Sequence, residues 1–125
     1  MLDHIGIEVK EYEKCKLFYT TVLKTLDFEL IMDLEIEGVG YAGFGAAGKP
    51  YFWLYRGDHT TPRIHVAFQA KSRRYVDVFY QAAIKAGAID NGKPGIREHY
   101  HKNYYGAFVL DPEGHNIEAV CHLPE

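Results

Sequence analysis

Asp111-Pro112-Glu113-Gly114, followed by Asn116-Ile117-Glu118-Ala119-Val120, reads as a turn feeding a strand. Proline at the second place and glycine at the fourth suit a type I turn. In the strand, Ile117 and Ala119 point one way and Glu118 the other. A carboxylate in an otherwise apolar strand is costly to bury unless it meets a cation, a donor or a metal. What Glu118 faces is therefore the question this sequence poses.

Upstream, residues Tyr104 to Leu110 form the partner strand of a hairpin. Ile96 to His101 is irregular or a short strand, and Asn91-Gly92-Lys93-Pro94-Gly95 is a loop. Before it, Ser72 caps a helix whose apolar face is Tyr75, Val76, Phe79, Ala82, Ala83 and Ala86, stopped by Gly87. Ile64 to Phe68 is a strand, preceded by a polar linker from Arg56 to Arg63.

The first half runs through the same order. Residues 2–9 alternate, with Ile5, Ile7 and Val9 on one face and His4, Gly6 and Glu8 on the other. From Glu11 to about Leu26, Cys15, Phe18, Tyr19, Val22, Leu23 and Leu26 recur at helical spacing. Strands follow at 28–36, 41–44 and 51–55, with a turn marked by Gly45, Gly48 and Pro50.

The halves match residue by residue. His4 and His65 are 61 positions apart (65 − 4), and the same offset takes Phe18-Tyr19 to Phe79-Tyr80. An offset of 64 takes Tyr41 to Tyr105 and Phe44 to Phe108, and 65 takes Trp53 to Glu118. Each half is a βαβββ module, about 1–58 and 63–125. One module cannot bury its helix face and its sheet edges alone, so the two pair into a single α+β domain.

Equivalent placement aims His4 and His65 into one concavity, and Glu118 shares it. Two imidazoles and a carboxylate on one face make a facial triad that leaves positions open on a divalent metal. The competing reading is two unrelated strand histidines, with Glu118 paired to an arginine. Nearby, Arg97-Glu98-His99-Tyr100-His101-Lys102-Asn103-Tyr104-Tyr105 crowds donors and aromatics into nine residues. It is either a solvated loop or a pocket wall. As a wall, His99, His101 and Tyr105 move protons beside Glu118, and Arg97 and Lys102 hold a carboxylate or phosphate. His59, His115 and His122 read as surface residues.

Composition bounds the rest. The 125 residues are 47% hydrophobic and 25% charged, as in globular domains. A net charge of −3 offers no basic excess for nucleic acid. Ten tyrosines, seven phenylalanines and one tryptophan fill a core or line a pocket for a small organic molecule. Cys15 and Cys121 read as buried thiols of a reducing compartment. No leader-like start and no apolar run near ~18 residues is present, so the expected location is cytoplasmic, away from membranes.

Asp3-His4-Ile5-Gly6-Ile7-x-Val9, the Phe18-Tyr19 helix, Ile64-His65-Val66-Ala67-Phe68 and Leu110-Asp111-Pro112-x-Gly114-x-x-Ile117-Glu118 together resemble the vicinal oxygen chelate superfamily. That superfamily includes glyoxalase I, extradiol dioxygenases, and fosfomycin- and bleomycin-resistance proteins. The resemblance implies paired βαβββ modules forming a curled mixed sheet, a cup with its helices outside. It implies His4, His65 and Glu118 as ligands of a divalent metal (Fe, Mn, Zn or Ni). It also implies a homodimer, in some members with cups completed by the partner chain. The stretch from His99 to Gly106 resembles a glyoxalase-like subgroup. Glyoxalase I carries a fourth ligand, a glutamate, where this chain has Trp53, and tryptophan cannot ligate.

Two functions follow as expectations. One is a metal-dependent lyase, isomerase or dioxygenase acting on a small oxygenated molecule, with Trp53, Arg97 and Tyr104 contacting substrate. The other is a metal-free small-molecule or drug-binding protein of the bleomycin-resistance kind, with Trp53 and the tyrosines stacking on the ligand.

Overall fold

The computed structural model describes all 125 residues. The first half contains β1 (Ile5–Val9), α1 (Tyr12–Leu23), a 3-10 turn (Lys24–Leu26), β2 (Glu29–Ile36), β3 (Val39–Ala46) and β4 (Lys49–Arg56). The second contains β5 (His65–Gln69), α2 (Arg73–Lys85), β6 (Ile89–Ile96), β7 (Tyr105–Leu110) and β8 (Asn116–Cys121). Each half builds its own four-stranded mixed sheet, in the order β1-β4-β3-β2 and β5-β8-β7-β6. In each, the first strand runs parallel to the last and the other pairs are antiparallel. The expected α+β fold and its repeat are both present, as two unclosed sheets.

The alternation read in the sequence decides which face is buried. Ile7, Val9, Ala42, Phe44, Phe52 and Leu54 lie under α1, while Ala107, Val109, Ile117 and Ala119 lie under α2. The helices also touch each other, so these residues join one core cluster of 23 residues. Phe68 extends it across the halves, edge-on to Phe52 at 5.5 Å and to Phe28 at 5.7 Å. Each of these rings removes on the order of 2 kcal/mol of apolar surface from water.

The turn Asp111-Pro112-Glu113-Gly114 is the joint between the halves. Asp111 Oδ1 accepts from the backbone N–H of Glu113 and His115, and Tyr19 on α1 donates to Asp111 Oδ2. Glu113 Oε2 accepts the Glu11 N–H at 2.6 Å, at the start of α1. A carboxylate there complements the positive end of the helix dipole, and α1 has no side-chain cap of its own. His115 is fully buried, which corrects its reading as a surface residue. The helix packed over the turn leaves it no path to water.

Three further readings change. Asn91–Gly95 is strand, not loop: β6 is an edge strand with two register breaks, where a proline and positive-φ Gly92 are tolerated. The β3–β4 hairpin turns at Ala47-Gly48, both with positive φ, and Pro50 already lies in β4. The match of Tyr41 to Tyr105 and Phe44 to Phe108 is one residue out of register. Trp53 pairs with Gly43, and Glu118 pairs with Phe108, so Gly43 is the partner of Phe108 in the repeat.

Candidate functional site

The faces turned away from the helices carry the polar groups. The repeat places His4 and His65 equivalently: Ile5 pairs with Phe52 and Val66 with Ile117, one residue beyond each histidine. It places Trp53 and Glu118 equivalently too, opposite Gly6 and Ala67.

Glu118 is 1% exposed, and no lysine or arginine reaches it. Its Oε1 lies 2.9 Å from His65 Nε2, and its Oε2 accepts the Tyr104 hydroxyl. Gly106 makes room for both groups: a Cβ there would stand 3.1 Å from Glu118 Oε2 and 3.2 Å from the Tyr104 ring. Burial first, and the Glu118 hydrogen bond second, push the Tyr104 phenol well above its usual range. Tyr104 is therefore a standing donor to the carboxylate, not a base.

His65 is held from behind by Asn116, with Nδ2 at 2.9 Å from His65 Nδ1. Asn91 Nδ2 in turn donates to Asn116 Oδ1 at 3.1 Å. Phe108 lies beside His65, and the Arg97 guanidinium sits over the Phe108 ring. Arg97 is fixed by the carbonyls of Gly95 and Lys93, which leaves other N–H groups for an anion.

His101 joins the other side of Tyr104. The Asn103 N–H donates to His101 Nδ1, so His101 carries its proton on Nε2 and gives it to His122 Nδ1 at 2.6 Å. Both rings stand edge-on to Tyr104. His99 is one ring further out, against Tyr100. Tyr105 faces the opposite way, toward α2, where it donates to Asp77 at 2.7 Å. Burial and that carboxylate push Tyr105 up to about 12. Strand alternation separates the two tyrosines, so it is Tyr104 that meets Glu118, not Tyr105 as expected from the sequence.

His4 stands on the other sheet, bonded to Asp3, which also binds Lys49. His4 and His65 line one cleft of about 400 Å³ with Phe28, Tyr51 and Phe52. No three His, Cys, Asp or Glu side chains converge closely enough to hold a metal within this chain. Of the three expected ligands, His65 and Glu118 meet directly, at 2.9 Å.

In the first half the same face is aromatic. The Trp53 ring lies over Gly43, where a Cβ would come within 2.9 Å of it. Tyr41 and Tyr55 stack beside it. Missed from sequence were Asn91, Asn116 and His122. The one available signal was that Asn116 shares the face of Glu118 two residues away.

No curated protein matches the chain. Among solved structures, a glyoxalase/bleomycin resistance protein from Albidiferax ferrireducens superposes with a TM-score of 0.75 at 22% identity, covering 97% of this chain and 98% of that one. Glyoxalase I from Zea mays gives 0.75 at 16%, covering 99% of this chain and 45% of that one. A variant of the fosfomycin resistance protein FosX from Listeria monocytogenes, complexed with Mn(II) and a dihydroxypropylphosphonic acid, gives 0.70 at 22%, covering 96% and 90%. These likenesses establish the fold. The family model described as Glyoxalase/Bleomycin resistance protein/Dioxygenase superfamily matches residues 1–119, and the chain belongs to that superfamily.

Proposed function

We propose that this protein is a divalent-metal-dependent enzyme, a lyase, isomerase or dioxygenase, acting on a small oxygenated molecule. The observation that carries the reading is Glu118, a buried carboxylate with no lysine or arginine partner and with one oxygen 2.9 Å from an imidazole nitrogen. Such a group is stabilised by a bound cation. His65 and Glu118 supply two ligands and His4 the third. The metal, when bound, polarises substrate oxygens and stabilises an anionic intermediate.

The chain's own groups do the rest. Tyr104 holds Glu118 in place and keeps its proton. Arg97 orients an anionic substituent over Phe108. His101 and His122 accept or return a proton at the rim, and Trp53 packs against the substrate's apolar part. Since His4 lies on the other sheet, a homodimer in which a second copy's first half faces this Glu118 is the assembly that fits. Exposed Met32, Leu34 and Ile36, on the open face beside Tyr41, support such a partner. Two buried free thiols support a reducing, cytoplasmic location.

Titration of metal-free protein with Mn(II), Zn(II) and Ni(II), read by calorimetry, tests the reading. One ion per Glu118 is expected, with binding lost in His65→Ala and Glu118→Ala and weakened in His4→Ala. Full metal binding by His65→Ala would remove the assignment. A second reading is favoured by the aromatic face of Trp53, Tyr41 and Tyr55: a binder of cationic aromatic compounds with Glu118 as counter-charge. Tight ligand binding by protein that takes up no metal would select it.

A further inference from the structure

The groups behind His65 form a chain with a direction. Asn91 Nδ2 donates to Asn116 Oδ1, Asn116 Nδ2 faces His65 Nδ1, and His65 Nε2 faces Glu118 Oε1. An amide NH2 only donates, so His65 Nδ1 must offer its lone pair and the ring proton must sit on Nε2. The far end demands the same, because the Glu118 carboxylate only accepts.

We infer that Asn91 and Asn116 are positioning residues that set the tautomer of His65, and that two arrangements of this chain exist. In the first, every bond runs toward Glu118 and His65 is a donor to it. In the second, both amides turn over. His65 Nδ1–H then donates to Asn116 Oδ1, Asn116 Nδ2 donates to Asn91 Oδ1, and His65 Nε2 presents a lone pair.

The second arrangement puts two acceptors 2.9 Å apart at Nε2 and Oε1. They repel unless a cation lies between them. The first arrangement therefore belongs to the cation-free protein and the second to the loaded one. A mixed state, with only one amide turned, sets donor against donor or acceptor against acceptor, so the two asparagines turn together. The resting tautomer stands on the hydrogen bonds alone. Only the switch rests on the metal reading above.

The test is nitrogen NMR of the uniformly 15N-labelled protein, above the ordinary imidazole titration range. His65 is assigned by its loss in His65→Ala. In metal-free wild type, the proton is expected on Nε2, with Nδ1 bare. Asn116→Asp can only accept, so in the Zn(II)-loaded protein it should hold the proton on Nδ1. It should also tighten Zn(II) binding about tenfold, the scale on which groups behind a ligand act. Adding Zn(II) to wild type should move the proton from Nε2 to Nδ1 and shift the side-chain amide signals of Asn91 and Asn116 together. A resting Nδ1–H tautomer in wild type, or a Zn(II)-loaded Asn116→Asp variant with Nδ1 still bare, overturns the inference. If the resting tautomer is as stated and Zn(II) leaves His65 untouched, the tautomer assignment stands. The switch and the metal reading then fail.

Discussion

The two halves share one backbone and differ in what they show to solvent. Trp53 and Glu118 occupy equivalent places, opposite Gly6 and Ala67 in parallel neighbours and opposite Gly43 and Phe108 in antiparallel ones. In the first half, a glycine under Trp53 lets the indole lie flat on the sheet. In the second, Gly106 sits two residues along from the equivalent place and lets a tyrosine reach a carboxylate. Moving one glycine along the strand separates an apolar platform from a charged pocket. The hairpins differ in the same way. Ala47-Gly48 is a bare two-residue turn, whereas Asp111 to His115 is tied to α1.

The largest expected effect breaks that second contrast. Asp111→Ala leaves the Tyr19 hydroxyl and two backbone N–H groups without an acceptor in a buried place, a loss of roughly 3 kcal/mol or more. Gly48→Ala, in the matching turn, meets no neighbouring atom and carries only the positive-φ penalty, about 1 kcal/mol. Urea unfolding of the two variants measures the difference, and equal losses would remove the joint assigned to Asp111.

Trp53→Glu tests the contrast at the site. Losing the ring's contact with Gly43 should lower stability by about 1–2 kcal/mol. A carboxylate at the place equivalent to Glu118 should tighten Mn(II) binding about tenfold. Unchanged affinity by calorimetry would mean that the two open faces never share an ion.

The smallest effects lie on the tyrosines. Tyr104→Phe removes one donor from Glu118 and should weaken metal binding several-fold, with little change in melting temperature. Tyr104 and Tyr105 both have phenols raised above their usual value, by burial first and then by Glu118 and Asp77 respectively. A raised acid is more protonated in the folded protein, so the stability it contributes is complete below about pH 10. It is lost as pH climbs through the folded-state values. Melting temperatures between about pH 9 and pH 12 should fall, and less steeply in Tyr105→Phe.

Much of this was legible from alternation and repetition. A strand histidine recurring after 61 residues fixed β1 against β5, and the Trp53–Glu118 equivalence came out in register. The Tyr-x-x-Phe match failed because residue identity was followed across a face boundary. Phe44 packs in the core while Phe108 lies on the open face. Asn91 to Gly95 looks like loop in the sequence because turn residues tolerated on an edge strand resemble turn residues in a turn. His115 looks like a surface residue because hairpin turns are usually wet, and nothing local records that α1 lies over this one. Tyr104 and Tyr105 look alike in the sequence because adjacent tyrosines differ only in the side of the sheet they occupy. His101 and His122 meet through the fold, 21 residues apart in the chain.

The bond from the Glu11 N–H to Glu113 spans 102 positions. During synthesis α1 emerges early, yet the carboxylate that finishes its first turn arrives about 100 residues later. The nascent first half therefore waits with an open helix end and an unpartnered Tyr19 hydroxyl. Closure of the β7–β8 hairpin completes both, so loss of that hairpin should be felt at α1.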